Sequence, residues 1–292
     1  MCELTRADER MKTYTLPNGV IGCNLFKYRR IDDFLFDSIA NARLWFSDPL
    51  QFNDPYDCNL DFTVGLQDDW YEHLFNAVPA TVLTRERQEL RERFERDPDA
   101  AAQIKRRLEQ IEYGNIRKQI GARGVCCFGR VDDNLLMWAH YADKHSGVCL
   151  TFDISEDETF FNAPYLVEYR EELPQYNLLD VLRKLPHTGI VQHILATKSK
   201  EWEYEQEVRI IKWSRFGPFR GLLEFKKRAL TEVTFGHKTR AEDKKRVAVL
   251  LAGDAYKHVR LSEMRLSQGA FALIKMPYNA CSSTVEQLEQ HE

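Results

Sequence analysis

Between Thr197 and Trp213 the chain reads TKSKEWEYEQEVRIIKW, charged at first and then alternating. Tyr204, Gln206, Val208 and Ile210 fall on one side of an extended segment, and Glu205, Glu207, Arg209 and Ile211 on the other. That period of two, ending in β-branched residues, predicts a strand. Its second side carries two carboxylates and a guanidinium, each about 7 Å from the next in strand geometry. Neighbouring carboxylates repel, so Glu205 and Glu207 need a cation, a donor or a ligand, and Arg209 is the nearest cation in sequence. A solvated strand face is the plainer account of such a pattern. The aromatic flank of Trp202, Tyr204 and Trp213 favours a pocket wall instead.

The rest of the pattern is short strands mixed with helices. Leu25 to Arg30 reads as a strand, followed by a helix from an Asp32 N-cap through Ile39. Ala42 to Ser47 is a second strand, and Phe52-Asn53-Asp54-Pro55 a structured turn. Between Thr84 and Arg117 the run of Arg, Glu, Gln and Leu predicts two solvated helices broken at Asp97-Pro98. Gly124–Gly129 and Gly147–Phe152 are apolar strands on either side of a helix, Asn134–His145. Strands follow at 167–169, 222–225, 230–235, 259–267 and 270–275. Helices follow at 178–195, interrupted at Pro186, and at 240–256. The lead-in over 1–18 ends in a Pro-Asn-Gly turn, and the tail from Ser282 is polar. These elements predict one α+β domain over 1–292, with a mixed or split β-sheet core and a peripheral helical insertion at 66–120.

Composition narrows the classes. At 292 residues and 43% hydrophobic the chain supports a sizeable core. A net charge of -4 gives no general attraction for phosphate backbones, so any nucleic-acid contact has to be local. Seven scattered cysteines form no paired framework and no zinc spacing, so no metal site is expected and a reducing cytoplasm is. The N-terminus has no apolar core of a signal peptide, and no apolar run approaches the roughly 20 residues of a membrane span. A cytoplasmic protein without a membrane partner is expected. Trp138, His140, Tyr141 and His145 crowd within eight residues, which suits a pocket lining as well as ordinary helix packing.

Four stretches, FKYR, LWFSDPLQFNDPYD, LMWAHYADKHSGVCLTFD and KSKEWEYEQEVRII, resemble the signatures of a bacterial family catalogued only as a domain of unknown function (DUF2971). That resemblance joins the stretches and supplies no activity. A second one does. The order of Arg29 on FKYR, Ser47 on LWFS and Glu207 on EQEVRII is similar to the plan of Arg-Ser-Glu type ADP-ribosyltransferases. It implies NAD as substrate, an unidentified acceptor, and the role of a toxin or defence effector. Arg29 would hold the pyrophosphate, with Lys27 or Arg30 as alternatives, and Ser47 would position the nicotinamide half. Glu207 would stabilise oxocarbenium-like charge as nicotinamide leaves, and Glu205 would orient or deprotonate the acceptor. Tyr28, Trp138, His140, Tyr141, Lys198, Trp202 and Arg209 complete the expected binding surface. Here Phe46-Ser47-Asp48 stands where that type usually has Ser-Thr-Ser. Arg29, Ser47, Tyr141 and Glu207 are expected to line one cleft.

Two other classes compete. In a metal-dependent nuclease or phosphodiesterase, Asp54, Asp57, Glu205 and Glu207 would converge on Mg2+, with Lys198 or Lys212 beside it. In a non-catalytic recognition module, Trp138, Tyr141 and Trp202 would hold a nucleotide or peptide.

Overall fold

The computed structural model describes residues 13–16, 19–58, 64–65, 84–173, 176–177, 188–214 and 218–278. The Pro17-Asn18 turn, residues 66–83 of the expected insertion, 178–187 and the tail lie outside the described residues. Strands β1 (Thr13–Leu16), β2 (Gly19–Gly22) and β3 (Asn24–Arg29) lead into helix α1 (Asp33–Ala40). The expected cap is present, with Asp32 Oδ1 accepting from Leu35 N at 2.9 Å. After β4 (Arg43–Phe46) and the two-residue β5 (Val64–Gly65) come helices α2 (Thr84–Arg96) and α3 (Pro98–Gly121). They break at the expected place, where Asp97 caps Ala100 N and Pro98 opens the second helix.

Next come β6 (Arg123–Phe128), α4 (Leu135–Tyr141), β7 (Val148–Asp153), β8 (Pro164–Leu166), β9 (Glu168–Arg170) and β10 (Tyr176–Asn177). Helix α5 (Thr188–Leu195) and β11 (Thr197–Ser199) precede β12 (Val208–Trp213) and β13 (Gly221–Glu224). The chain closes with β14 (Leu230–Phe235), α6 (Ala241–Leu251), β15 (Arg260–Leu266) and β16 (Leu273–Pro277).

The fold is α+β with a split sheet system. Five strands run in the order β16-β15-β14-β7-β3, with β14 and β15 parallel and the other pairs antiparallel. A second sheet, β6-β12-β8, is antiparallel, with Val208 opposite Phe128 and Trp213 opposite Arg123. Strand β4 pairs with β13. Paired backbone hydrogen bonds between Phe26 and Gly129 join the two larger sheets, and another pair ties Ser47 to Val125.

One core packs Leu25, Val148, Leu150, Phe152, Val208, Ile210, Val233 and Phe235 under α1 and α6. A second gathers Ile116 and Ile120 of α3 with Val125, Val191, Ile194 and Leu195. A third places Met137, Trp138 and Ala142 over Tyr28, Cys149, Met264 and Leu273. All three are water-excluding apolar clusters of the kind that dominates folding energetics.

Two sequence expectations need correction. The strand expected over Tyr204–Ile211 begins only at Val208. After β11 the chain forms a 3-10 turn over Lys200–Glu205, Gln206 is left-handed (φ 45°), and only then does β12 begin. A run of alternating side chains fits a strand equally well, and a non-glycine left-handed residue leaves little mark in sequence. The helix expected over 134–145 stops at Tyr141, because Asp143, Lys144 and His145 are all left-handed (φ 48°, 55° and 73°). That reversal requires Gly236, where a Cβ would run into the His145 carbonyl.

Candidate functional site

The four sequence stretches meet at one place, a cavity of about 200 Å3 at the junction of the two larger sheets. FKYR supplies Phe26, Lys27 and Tyr28. The turn after β4 supplies Phe52, Asn53 and Asp57, while α4 supplies Met137 and Tyr141. Lys198, Glu205 and Glu207 form the charged side, and Cys127, Phe128 and Gly129 close it from β6. Most of the wall is aromatic or apolar, and the polar groups converge on one end, the usual composition of a small-molecule site.

Local structure explains how each group is held. Asn134 caps α4, its Oδ1 accepting from Leu136 N and Met137 N, while its Nδ2 donates to Tyr204 O at 3.0 Å. One side chain therefore sets both α4 and the Glu205 turn. Asp54 Oδ1 accepts from Tyr56 N and shapes the turn that presents Asp57. The Tyr169 hydroxyl accepts from Glu207 N at 2.8 Å, just past left-handed Gln206.

Five charged side chains, all at most 7% exposed, make one cluster. Arg209 grips Glu207 through two hydrogen bonds of 2.9 Å, and its Nη2 reaches Asp57 Oδ2 at 2.7 Å. Its Nη1 donates to Leu195 O and Cys58 Sγ, and the ring of Phe52 lies against the guanidinium. Lys198 Nζ sits 2.6 Å from Glu205 and 3.5 Å from both Glu207 and Asp57, with the Trp202 ring beneath it. Tyr141 donates its hydroxyl to the second Glu205 oxygen at 2.5 Å. Asp57, Glu205 and Glu207 against Lys198 and Arg209 leave one negative charge in excess when all are ionised.

The two glutamates respond in opposite directions. Burial drives Glu205 above the usual carboxylate range, and Lys198 offsets this only in part. Burial acts the same way on Glu207, but Arg209 and Lys198 overcome it and hold that carboxyl down at about 2. Burial pulls Lys198 down, yet the surrounding carboxylates outweigh it and keep the amine firmly protonated. Burial also pushes the Tyr141 hydroxyl up.

Of the residues expected from sequence, Tyr28, Tyr141, Lys198, Glu205 and Glu207 line the cavity. Arg209, Trp138 and Trp202 stand one layer behind. Arg209 is fully buried in the charge cluster, Trp138 packs edge-on to Tyr28 while donating to Asp132 O, and Trp202 supports Lys198. His140 is exposed, with Nδ1 2.9 Å from the Tyr204 hydroxyl. Arg29 and Ser47 are the corrections: neither is among the lining residues. Arg29 ends β3 opposite Val148, and Ser47 has its backbone committed to Val125. Lys27 is the cation of FKYR at the cavity wall, bonded to Cys127 O at 2.9 Å and lying over the Phe128 ring.

The aromatic contributors Phe26, Phe52 and Phe128, and Asn53, were not singled out from sequence, although all but Phe128 lie inside the quoted stretches. Asp57 was weighed only as a metal ligand. A cation held by Asp54, Asp57, Glu205 and Glu207 does not fit: Arg209 occupies Asp57 and both Glu207 oxygens, and Lys198 and Tyr141 occupy Glu205. Asp54 is absent from the lining, and the described residues hold no group of three or more His, Cys, Asp or Glu suited to a metal. Nor is any helix among them long and apolar enough to cross a membrane.

Residues 137–210 match the family model described as protein of unknown function (DUF2971). The matched span runs from Met137 through Tyr141, Lys198, Glu205 and Glu207 to Ile210, and so carries one whole side of the cavity. No curated protein and no solved structure matches the chain.

Proposed function

We propose that the cavity is the donor site of an enzyme that breaks the glycosidic bond of NAD+ and passes ADP-ribose to an acceptor or to water. One observation carries the reading: two carboxylates of opposite protonation tendency share the polar end of an aromatic-walled cavity. Pairs whose environments push their pKa values apart divide acid–base labour. As nicotinamide departs with the bonding electrons, positive charge develops on the ribose, and Glu207, ionised at any working pH, supplies fixed negative charge. Glu205, with its raised pKa, takes the proton from the hydroxyl or water that attacks the anomeric carbon. With water the balance is NAD+ plus H2O to ADP-ribose, nicotinamide and one proton.

The cavity is smaller than the roughly 300 Å3 at which whole-ligand pockets begin, so it takes the nicotinamide end and leaves the adenosine half outside. Lys27 is the group at its wall suited to a phosphate, in the role that resemblance gave Arg29. The parted five- and three-stranded sheets with a cleft at their junction support an ADP-ribosyltransferase-like plan.

A second reading, a recognition module that binds without turnover, is favoured by the two-point grip of Arg209 on Glu207, which neutralises much of that carboxylate's field. Incubating the purified protein with NAD+ and following free nicotinamide separates the two. Enzymatic cleavage is expected to proceed unchanged in EDTA and to drop about 10²–10⁴-fold in Glu205→Gln. Absence of nicotinamide release from the wild type overturns the transferase reading.

A further inference from the structure

We infer that this cavity is built to bind a planar monocation, whose charge completes the balance of the buried cluster beside it. The inference deepens the proposal above by naming the charge of what enters the site, and it holds for the recognition reading as well.

Charge and geometry carry it. Within salt-bridge distance, three carboxylates face two cations, and both cations are already spent on them. The surplus negative charge belongs to the cluster as a whole, whose cavity-side member Glu205 is 3% exposed beside an aromatic wall. An ionised carboxylate so placed loses its hydration and is costly unless neutralised. Other cations do not relieve it. Lys27 on β3 has its ammonium directed at Cys127 O and the Phe128 ring. Tyr28 from β3, Tyr141 from α4, Tyr169 from β9 and Cys127 from β6 are neutral neighbours whose hydroxyls and thiol burial keeps protonated.

Among the described residues no further cation completes the balance, which leaves a proton or a positive ligand. Without a ligand the carboxyl takes up its proton at a higher pH than an ordinary glutamate, which is the physical sense of the raised Glu205 titration. A flat cation against Phe26, Tyr28 and Tyr141 gains both the aromatic wall and the surplus negative charge of the cluster. An anion would meet no uncommitted cation at this end, and a neutral ring would leave the proton in place.

Isothermal titration calorimetry with 1-methylnicotinamide, a pyridinium monocation, and with neutral nicotinamide tests this without turnover. In buffers of different ionisation enthalpy, binding of the cation is expected to release up to one proton, and binding of the neutral ring none. Its affinity is expected to fall about tenfold per pH unit below the Glu205 titration and to exceed that of nicotinamide by about tenfold or more above it. In Glu205→Gln, checked for native circular dichroism, the preference and the pH slope disappear together.

Equal binding of both rings, no proton release between about pH 5 and pH 9, or no binding of either at millimolar concentration overturns the inference. Cation binding with proton release but no nicotinamide from NAD+ sustains it and removes the transferase reading alone.

Discussion

Among the described residues, two carboxylate clusters with a buried glutamate are bridged by lysine, and they differ in charge balance. At the cavity, Asp57, Glu205 and Glu207 meet Lys198 and Arg209. On the five-stranded sheet, Glu232 and Asp132 share Lys275 at 3.0 Å and 2.6 Å, Ser262 donates to Glu232 at 2.6 Å, and Arg260 lies 3.6 Å away. Glu232 is 4% exposed, as buried as Glu205. The second cluster is balanced, two carboxylates with two cations, and none of its members lines the cavity. It ties the loop before α4 to β14 and β16, which is work for a structural pair. The first cluster is unbalanced and opens onto the cavity. Burial alone therefore does not separate the functional cluster from the structural one, whereas counting charges within it does.

The largest expected effect comes from taking away the cation that holds the cavity cluster together. Arg209→Met leaves Asp57 and Glu207 buried with Lys198 alone between them, and breaking a buried pair on one side typically costs about 3–5 kcal/mol. Lys275→Met on the sheet is expected to cost less, about 1–2 kcal/mol, because its side chain is 37% exposed and water partly takes its place. Urea unfolding of the two variants measures the difference. Equal losses would remove the contrast between the clusters.

Acid provides the next test. Glu207 titrates near 2 in the folded protein against 4.5 for the free group, a depressed value. Its stabilisation is thus fully present above the unfolded value and is lost as pH falls from about 4.5 through 2. A displacement of that size corresponds to about 3 kcal/mol. Glu205 acts with the opposite sign, since its raised titration favours the fold as pH drops. The wild type is expected to lose urea resistance steeply below about pH 4.5, and Glu207→Gln, weaker at neutral pH, to show a flatter profile. Parallel profiles would mean that Glu207 is not the ionised member of the pair.

What sequence revealed and concealed follows the same division. Strand β14 was legible as Leu230–Phe235 because a short run rich in β-branched and apolar residues ends at Gly236. The break between α2 and α3 was legible because Asp97-Pro98 both stops one helix and starts the next. The quoted stretches converge because each brings polar groups onto apolar elements that have to meet something. Three features were concealed. The turn at Gln206 depends on a left-handed residue that is not glycine. Arg29 leaves the cavity merely because β3 ends there. Glu232, alternating within LTEVTF, reads as a solvent-facing residue, and only β15 and β16 packed beside it make it buried.

The smallest expected effect is the sharpest, because it predicts opposite signs for one substitution. Glu205→Gln and Glu232→Gln each remove one buried negative charge and keep nearly the same shape. In the balanced cluster this leaves Lys275 with Asp132 alone and weakens a charge-assisted bond to Ser262, a loss of about 1–2 kcal/mol. In the cavity cluster it brings two carboxylates level with two cations, and Lys198 keeps Glu207 and Asp57 at 3.5 Å. Removing the surplus charge of a buried cluster is neutral to stabilising, so Glu205→Gln is expected to gain on the order of 1 kcal/mol at pH values where the wild-type carboxyl is ionised. In a chain of this size that is a rise in melting temperature of roughly 2 °C. The gain should shrink as pH falls, because the wild-type carboxyl then takes up its own proton. Residues that serve a ligand at the expense of the empty fold behave in this way, and stability is recovered when the function is removed. Calorimetric melting of both variants at two pH values measures it. If Glu205→Gln melts below the wild type at neutral pH, Glu205 belongs with Glu232 as a structural group, and the charge count at the cavity loses its functional meaning.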